Sequence, residues 1–183
     1  MTIDLQQSVL LASAALLVFW LVGAYNRLVA LRNGIGQAWA KVDEALRQRA
    51  AAAQPLLAAL REPLAAEHGA LASLQGTLVA LQRCSAVMGH KPVVEDHAAA
   101  WLAAESQLAA AASRVFALLD LNAELRRQDA VAADAERWRE AQQRLAFART
   151  LFNEAAAAYN DAIGVFPTRV LLPLFGFGRA GRV

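Results

Sequence analysis

His90, Glu95 and His97 are the nearest approach of this sequence to a set of metal ligands. Two imidazoles and a carboxylate suit a divalent transition metal, but their spacing fits no zinc pattern and no cysteine joins them. A solvated turn accounts for them without a metal. Glu67-His68 offers a base beside an orienting group, yet no Ser, Thr or Cys nucleophile stands at a recognisable spacing. Cys84 has no activating base nearby, and burial is the default for a lone cysteine. It also has no partner for an internal disulfide, so nothing here requires an oxidising compartment. No glycine-rich loop follows a strand, which leaves nucleotide binding without support. The expectation is a protein that is not an enzyme and that takes no cofactor and no metal. Asn153 and Asn160 are more informative, one heptad apart beside an aromatic row. Buried asparagine costs stability but fixes register and oligomeric state. The alternative is a pair of exposed polar residues on the flank of a seam.

The elements that must carry these residues are helical. The 183 residues are 57% hydrophobic and 19% charged, too apolar for disorder. Much of the apolar share is alanine, which favours helix strongly but buries little area per residue. Glycine and proline cluster at a few places instead of punctuating short strands. Net charge is only +2 and basic residues alternate with acidic ones along the helices, so nucleic acid is not an expected partner.

From Val9 to Ala24 the chain carries no charge, close to the ~17–25 residues that cross a bilayer. Val9, Leu10, Leu16, Leu17, Phe19, Trp20 and Leu21 are the anchor residues of a span over about residues 8–25. Its Leu, Val and Phe residues contribute about −0.3 to −0.6 kcal/mol each near the centre, a few kcal/mol in all. A cleaved signal peptide is the competing reading, because Val22-Gly23-Ala24 resembles a cleavage site. No Lys or Arg precedes the run, however, and Arg27, Arg32 and Lys41 follow it, where positive charge resists translocation. The expected product is a single-pass anchor, N-terminus outside, bulk inside.

Beyond the anchor, Asn33-Gly34-Ile35-Gly36 is a weak joint, because glycine costs about 1 kcal/mol in a helix. Ile35 and Val42, then Trp39, Leu46 and Ala53, recur at heptad spacing, followed by rows through Leu57, Leu64, Leu71 and Leu78 and through Leu60, Leu74 and Leu81. Pro55 and Pro63 should each kink or split this stretch, and Pro63 can equally open a new helix. Met88 to Pro92 reads as a turn. A second helix is expected from about Val93 to Leu119, and a third from about Ala123 to Ile163, with Asp120 and Asn122 as caps. In the third, Trp138, Leu145, Phe152 and Tyr159 alternate with Ala141, Ala148, Ala155 and Ala162, large and small residues taking the two core positions. At ~1.5 Å per residue the first region, if continuous, is about 80 Å long and the others about 40 and 60 Å. An up-down-up arrangement leaves part of the first helix bare, so self-association through the seams of Trp39, Leu46, Trp138, Leu145, Phe152 and Tyr159 is expected. The tail, VFPTRVLLPLFGFGRAGRV, is apolar, broken by Pro167 and Pro173, and ends basic. Phe166, Leu174, Phe175 and Phe177 are its docking residues, either onto a neighbouring subunit or the membrane interface, or as a cap over its own bundle end.

The stretch YNRLVALRNGIGQAWAKVDEALRQR, from Tyr25 through Trp39 and Asp43 to Arg47 and Arg49, resembles the motif that follows the membrane helix in the LemA family. ARTLFNEAAAAYNDAIGVFP, through Arg149, Phe152, Asn153, Tyr159 and Asn160 to Phe166 and Pro167, resembles a second motif of that family, in the right order. The alanine run Ala50 to Ala53 and the order Glu67-His68 depart from the family pattern. The resemblance implies an all-α protein, an N-terminal transmembrane helix followed by an elongated antiparallel bundle or coiled coil, with an uncharacterised structural or adaptor role. The expected organisation is an anchor segment (1–33), a helical bundle (34–165) and an apolar tail (166–183). The expected protein is a scaffold in a bacterial inner membrane whose partners are lipids and further copies of itself. The runner-up is an adaptor holding a membrane protease or signalling partner against the bilayer.

Overall fold

The computed structural model describes residues 5–166, 168–169 and 177–183. Among these there is no strand, and the order is α1 (Leu5–Leu60), a 3-10 turn (Ala65–Glu67), α2 (His68–His90), α3 (Glu95–Leu121), the single turn α4 (Ala123–Arg126) and α5 (Asp129–Gly164). The all-α expectation holds, but the first long region is two helices, so the bundle has four members instead of three. Pro63 lies in the turn between them. Pro55 stays inside α1. Both Pro55 and Ala51, whose carbonyl loses its usual donor, face solvent, so water can complete the bonding that proline removes. The helix also runs unbroken through Gly34 and Gly36.

α1 and α5 lie side by side, and α2 and α3 form the second close pair. Alanines permit each approach: Ala38, Ala45 and Ala53 on α1, Ala141, Ala148 and Ala156 on α5, Ala104, Ala111 and Ala112 on α3 are all buried. Large side chains fill the core both within and between the two pairs. Trp39 stands edge-on to Trp101 (6.0 Å, 85°) and to Phe152 (5.7 Å, 74°), and Phe116 meets Trp138 at 6.2 Å. Such ring pairs contribute about 0.5–1.5 kcal/mol each beyond area burial. α1 and α5 are antiparallel, since Trp39 meets Phe152 while Arg49 meets Gln142. α1 and α3 are parallel, since Trp39 meets Trp101 while Arg49 meets Glu105.

The core follows heptad rows. Leu28, Ile35, Val42, Arg49 and Leu56 form one row on α1, all buried, and Ala98, Glu105, Ala112 and Leu119 form one on α3. On α5 the small-residue row runs Ala141, Ala148 and then Ala156, with Ala155 only partly covered. An untwisted helix of 3.6 residues per turn drifts from a strict seven-residue repeat in this direction. Asn122 caps α4, its Oδ1 accepting from the Leu125 N–H at 3.2 Å, while Glu95 and Asp96 place negative charge in the first turn of α3.

Candidate functional site

The first part of α1 has no neighbour among the described residues. Its most apolar 18-residue window has a mean hydropathy of 2.1 and none of it is buried. Val9, Leu10, Leu16, Leu17 and Phe19 all stand exposed, Phe19 at 76% and Leu16 at 72%. A soluble chain rarely leaves so large an apolar surface uncovered, and this all-round apolar helix suggests membrane anchoring. α3 also has the length and composition of a span, but it is packed into the bundle.

At the root of that helix Trp20 meets Phe166 at 5.5 Å, and Leu21 is half-buried. A cleft of about 730 Å³ opens there, lined by Phe19, Trp20, Arg27, Asp161, Phe166 and Thr168. Aromatic rings beside charged groups suit the interfacial level of a bilayer. Tyr25, just beyond, stands 6.0 Å from Phe177 of the tail.

The tail returns to α5. Asn153 Nδ2 donates to the Val183 carbonyl at 2.6 Å and its Oδ1 accepts from the Val183 N–H at 2.8 Å. Asn160 repeats the arrangement at Ala180, at 2.9 and 2.8 Å. The Tyr159 hydroxyl donates to the Gly178 carbonyl at 3.0 Å. Burial pushes the Tyr159 phenol above its ordinary pKa, partly offset by the positive charge of Arg32. The two asparagines are therefore not idle surface amides: within the chain they hold its own last described segment. For residues 178–183 the docking partner is the same chain, along a helix flank. Leu174 and Phe175 lie outside the described residues. Phe166 is exposed and Phe177 half-buried.

The seam residues Trp39, Leu46, Trp138, Leu145, Phe152 and Tyr159 are all buried within the chain's own bundle. They line the chain's own core instead of an exposed seam. In their midst, Arg49 forms a two-pronged pair with Glu105 at 2.7 and 2.6 Å, and its Nη1 also donates to Gln142 Oε1 at 2.7 Å. The guanidinium lies 5.7 Å from the centre of the Trp138 ring. Beside it, a largely apolar cavity of about 320 Å³ reaches between α1 and α2, past Leu46, Leu78, Leu81 and Ser85. Ser85 accepts from the Trp101 indole at 3.0 Å and donates to the Leu81 carbonyl at 2.8 Å. Sequence reasoning missed Arg49, Glu105 and Gln142 as a group. The signal was their register, since Arg49 and Glu105 each occupy a row otherwise filled by apolar residues.

Glu67 and His68 stand exposed at the start of α2, and Cys84 is a half-buried free thiol. His90, Glu95 and His97 do not converge: among the described residues, no three His, Cys, Asp or Glu side chains could share a metal ion. What the fold brings together is apolar surface, an interfacial cleft and a clasped tail.

Comparison with known proteins adds the remaining fact. No curated protein matches the chain. The family model of the LemA family matches residues 38–182, beginning inside the first of the two motifs and taking in the whole of the second, most of the chain in all. This chain belongs to the LemA family.

Proposed function

We propose that the protein is a non-enzymatic scaffold, held in a bacterial cytoplasmic membrane by the first part of α1, that self-assembles and organises or shapes the bilayer locally. The single observation that carries this reading is the bare apolar stretch of α1, which continues without a break into the bundle. A rigid join of that kind sets the bundle at a defined place on the membrane surface. Arg27, Arg32 and Lys41 follow the span, which favours the bundle on the cytoplasmic side with the N-terminus outside. Self-association finds its support in apolar side chains left outside the bundle, chiefly Phe147 on α5, 66% exposed, beside a groove between α1 and α5.

The test is the mass and shape of the full-length protein in mild detergent, by light scattering with negative-stain imaging. A large homogeneous particle is expected. A monomer would overturn the scaffold and turn attention to a foreign protein covering Phe147.

A further inference from the structure

Residues 178–183 run along α5 and against the first turns of α3, and the bonds that hold them are bonds to main chain. Asn153 and Asn160, one heptad apart, are separated by about 10.5 Å along a helix at ~1.5 Å per residue. Ala180 and Val183 are about 10 Å apart in an extended chain at ~3.3 Å per residue. The two repeats match, so each side-chain amide behaves as the peptide group of a neighbouring strand, accepting from one residue's N–H and donating to its carbonyl. Between the two clamps the fit is close. A Cβ on Gly181 would lie 2.5 Å from the Ala98 Cβ and 3.0 Å from the Glu95 Cα. Ala180 and Val183 are buried on either side. The groove thus selects an extended segment with glycine at one position, flanked by small or apolar residues, and nothing in its contacts identifies the molecule that supplies the segment. Emptied, it would exchange the fixed main-chain partners of both amides and of the Tyr159 hydroxyl for water.

We propose that this groove accepts residues 178–183 of a second copy of the chain in place of its own, so that neighbouring copies exchange tails. The inference rests on the self-association proposed above and supplies its contact. Exchange of an identical segment reuses bonds already optimal, so local concentration decides between own and neighbouring tail. Anchors that confine copies to one membrane raise that concentration.

The experiment starts from full-length Gly181→Phe, whose own tail no longer fits, titrated in mild detergent with a fluorescent peptide of residues 177–183, FGRAGRV. Saturable binding is expected, at least tenfold weaker when Asn153→Ala and Asn160→Ala are added, with unchanged helical circular dichroism in both variants. Equal binding to the two would overturn the proposal. If either variant unfolds, Gly181→Ala, which introduces the same Cβ contacts, replaces Gly181→Phe, and single asparagine changes replace the pair. Next, a tagged chain with both asparagines replaced but an intact tail is mixed with an untagged Gly181→Phe chain. The mixture is expected to co-purify at least fivefold better than either variant with a differently tagged copy of itself; no difference overturns the exchange. A wild-type particle that keeps its size in both variants also overturns the exchange while leaving the scaffold standing. A monomeric wild type overturns the scaffold and the exchange together.

Discussion

Arg49 and Glu105, on parallel helices and 56 positions apart, meet through two hydrogen bonds of 2.7 and 2.6 Å in a place where almost no water reaches either side chain. Removing water from both ions is expensive, and the pair is tolerable because its geometry is bidentate and Gln142 takes a further guanidinium N–H. Breaking it from one side is therefore costly. Glu105→Ala, which leaves an uncompensated buried cation, is expected to destabilise the bundle by about 3–5 kcal/mol. The double change Arg49→Met, Glu105→Leu should cost far less, because it removes both desolvation penalties together. Denaturant unfolding followed by helical circular dichroism distinguishes the two; equal losses would mean that packing, not charge, dominates the site.

Tyr159 gives the protein an alkaline limit. Its folded pKa is above the ordinary value near 10, which it has when unfolded, because burial disfavours the phenolate. The native state therefore holds that proton more tightly, and the associated stability is complete below pH 10 and lost as pH rises through the folded pKa. Unfolding midpoints should fall above pH 10 more steeply in the wild type than in Tyr159→Phe. At neutral pH the same variant should be weaker by about 1 kcal/mol, the worth of its bond to Gly178. Parallel pH profiles for the two proteins would remove Tyr159 as the cause.

The tail should resist protease for a reason that can be deleted. Arg179 and Arg182 are exposed, yet the backbone around them is pinned at Gly178, Ala180 and Val183. Replacing Asn153 and Asn160 with alanine removes four hydrogen bonds, each of about 0.5–1.5 kcal/mol, so tail opening should become at least tenfold more frequent. Limited trypsin digestion should then trim the C-terminal end faster by that factor, while cleavage in α3 and α5 stays slow. Unchanged trimming would show that Gly181 and its neighbours hold the tail without the amides.

The anchor has a narrow margin. One arginine at the centre of a span costs about 2.5–3.5 kcal/mol, comparable to the few kcal/mol that its apolar residues supply. Leu17→Arg should move much of the protein out of the alkali-washed membrane fraction, whereas Phe147→Arg, on the outer face of α5, should leave it there. Retention of both would mean that the cleft and tail bind the membrane without the span.

The helices and the anchor were legible because each is written in a local code: an uncharged run from Val9 to Ala24, and large residues at Trp138, Leu145, Phe152 and Tyr159 spaced to one face of a helix. The number of helices was less so. Pro55 and Pro63 carry the same local signal and both face solvent, yet one is held within α1 while the other occupies a turn, a difference set by how the neighbouring helices pack and not by the local sequence. The clasp was illegible for a different reason. Asn153 and Asn160 stand out in the sequence by their spacing, but their partner in the fold is a stretch without periodicity, and nothing local says that a heptad on a helix equals three residues of extended chain. Arg49 was readable in principle, since it stands in line with Leu28, Ile35, Val42 and Leu56; its charged neighbours Glu44 and Arg47 disguised it.

The unbroken course of α1 has a mechanical meaning. From Tyr25 to Leu60 the helix is ~53 Å long, so with the anchor in a bilayer a tilt of about 20° carries its far end sideways by roughly 18 Å. The bundle is then the arm of a lever whose pivot is the bilayer, and a change in bilayer thickness that alters the tilt is amplified into a displacement wider than a helix.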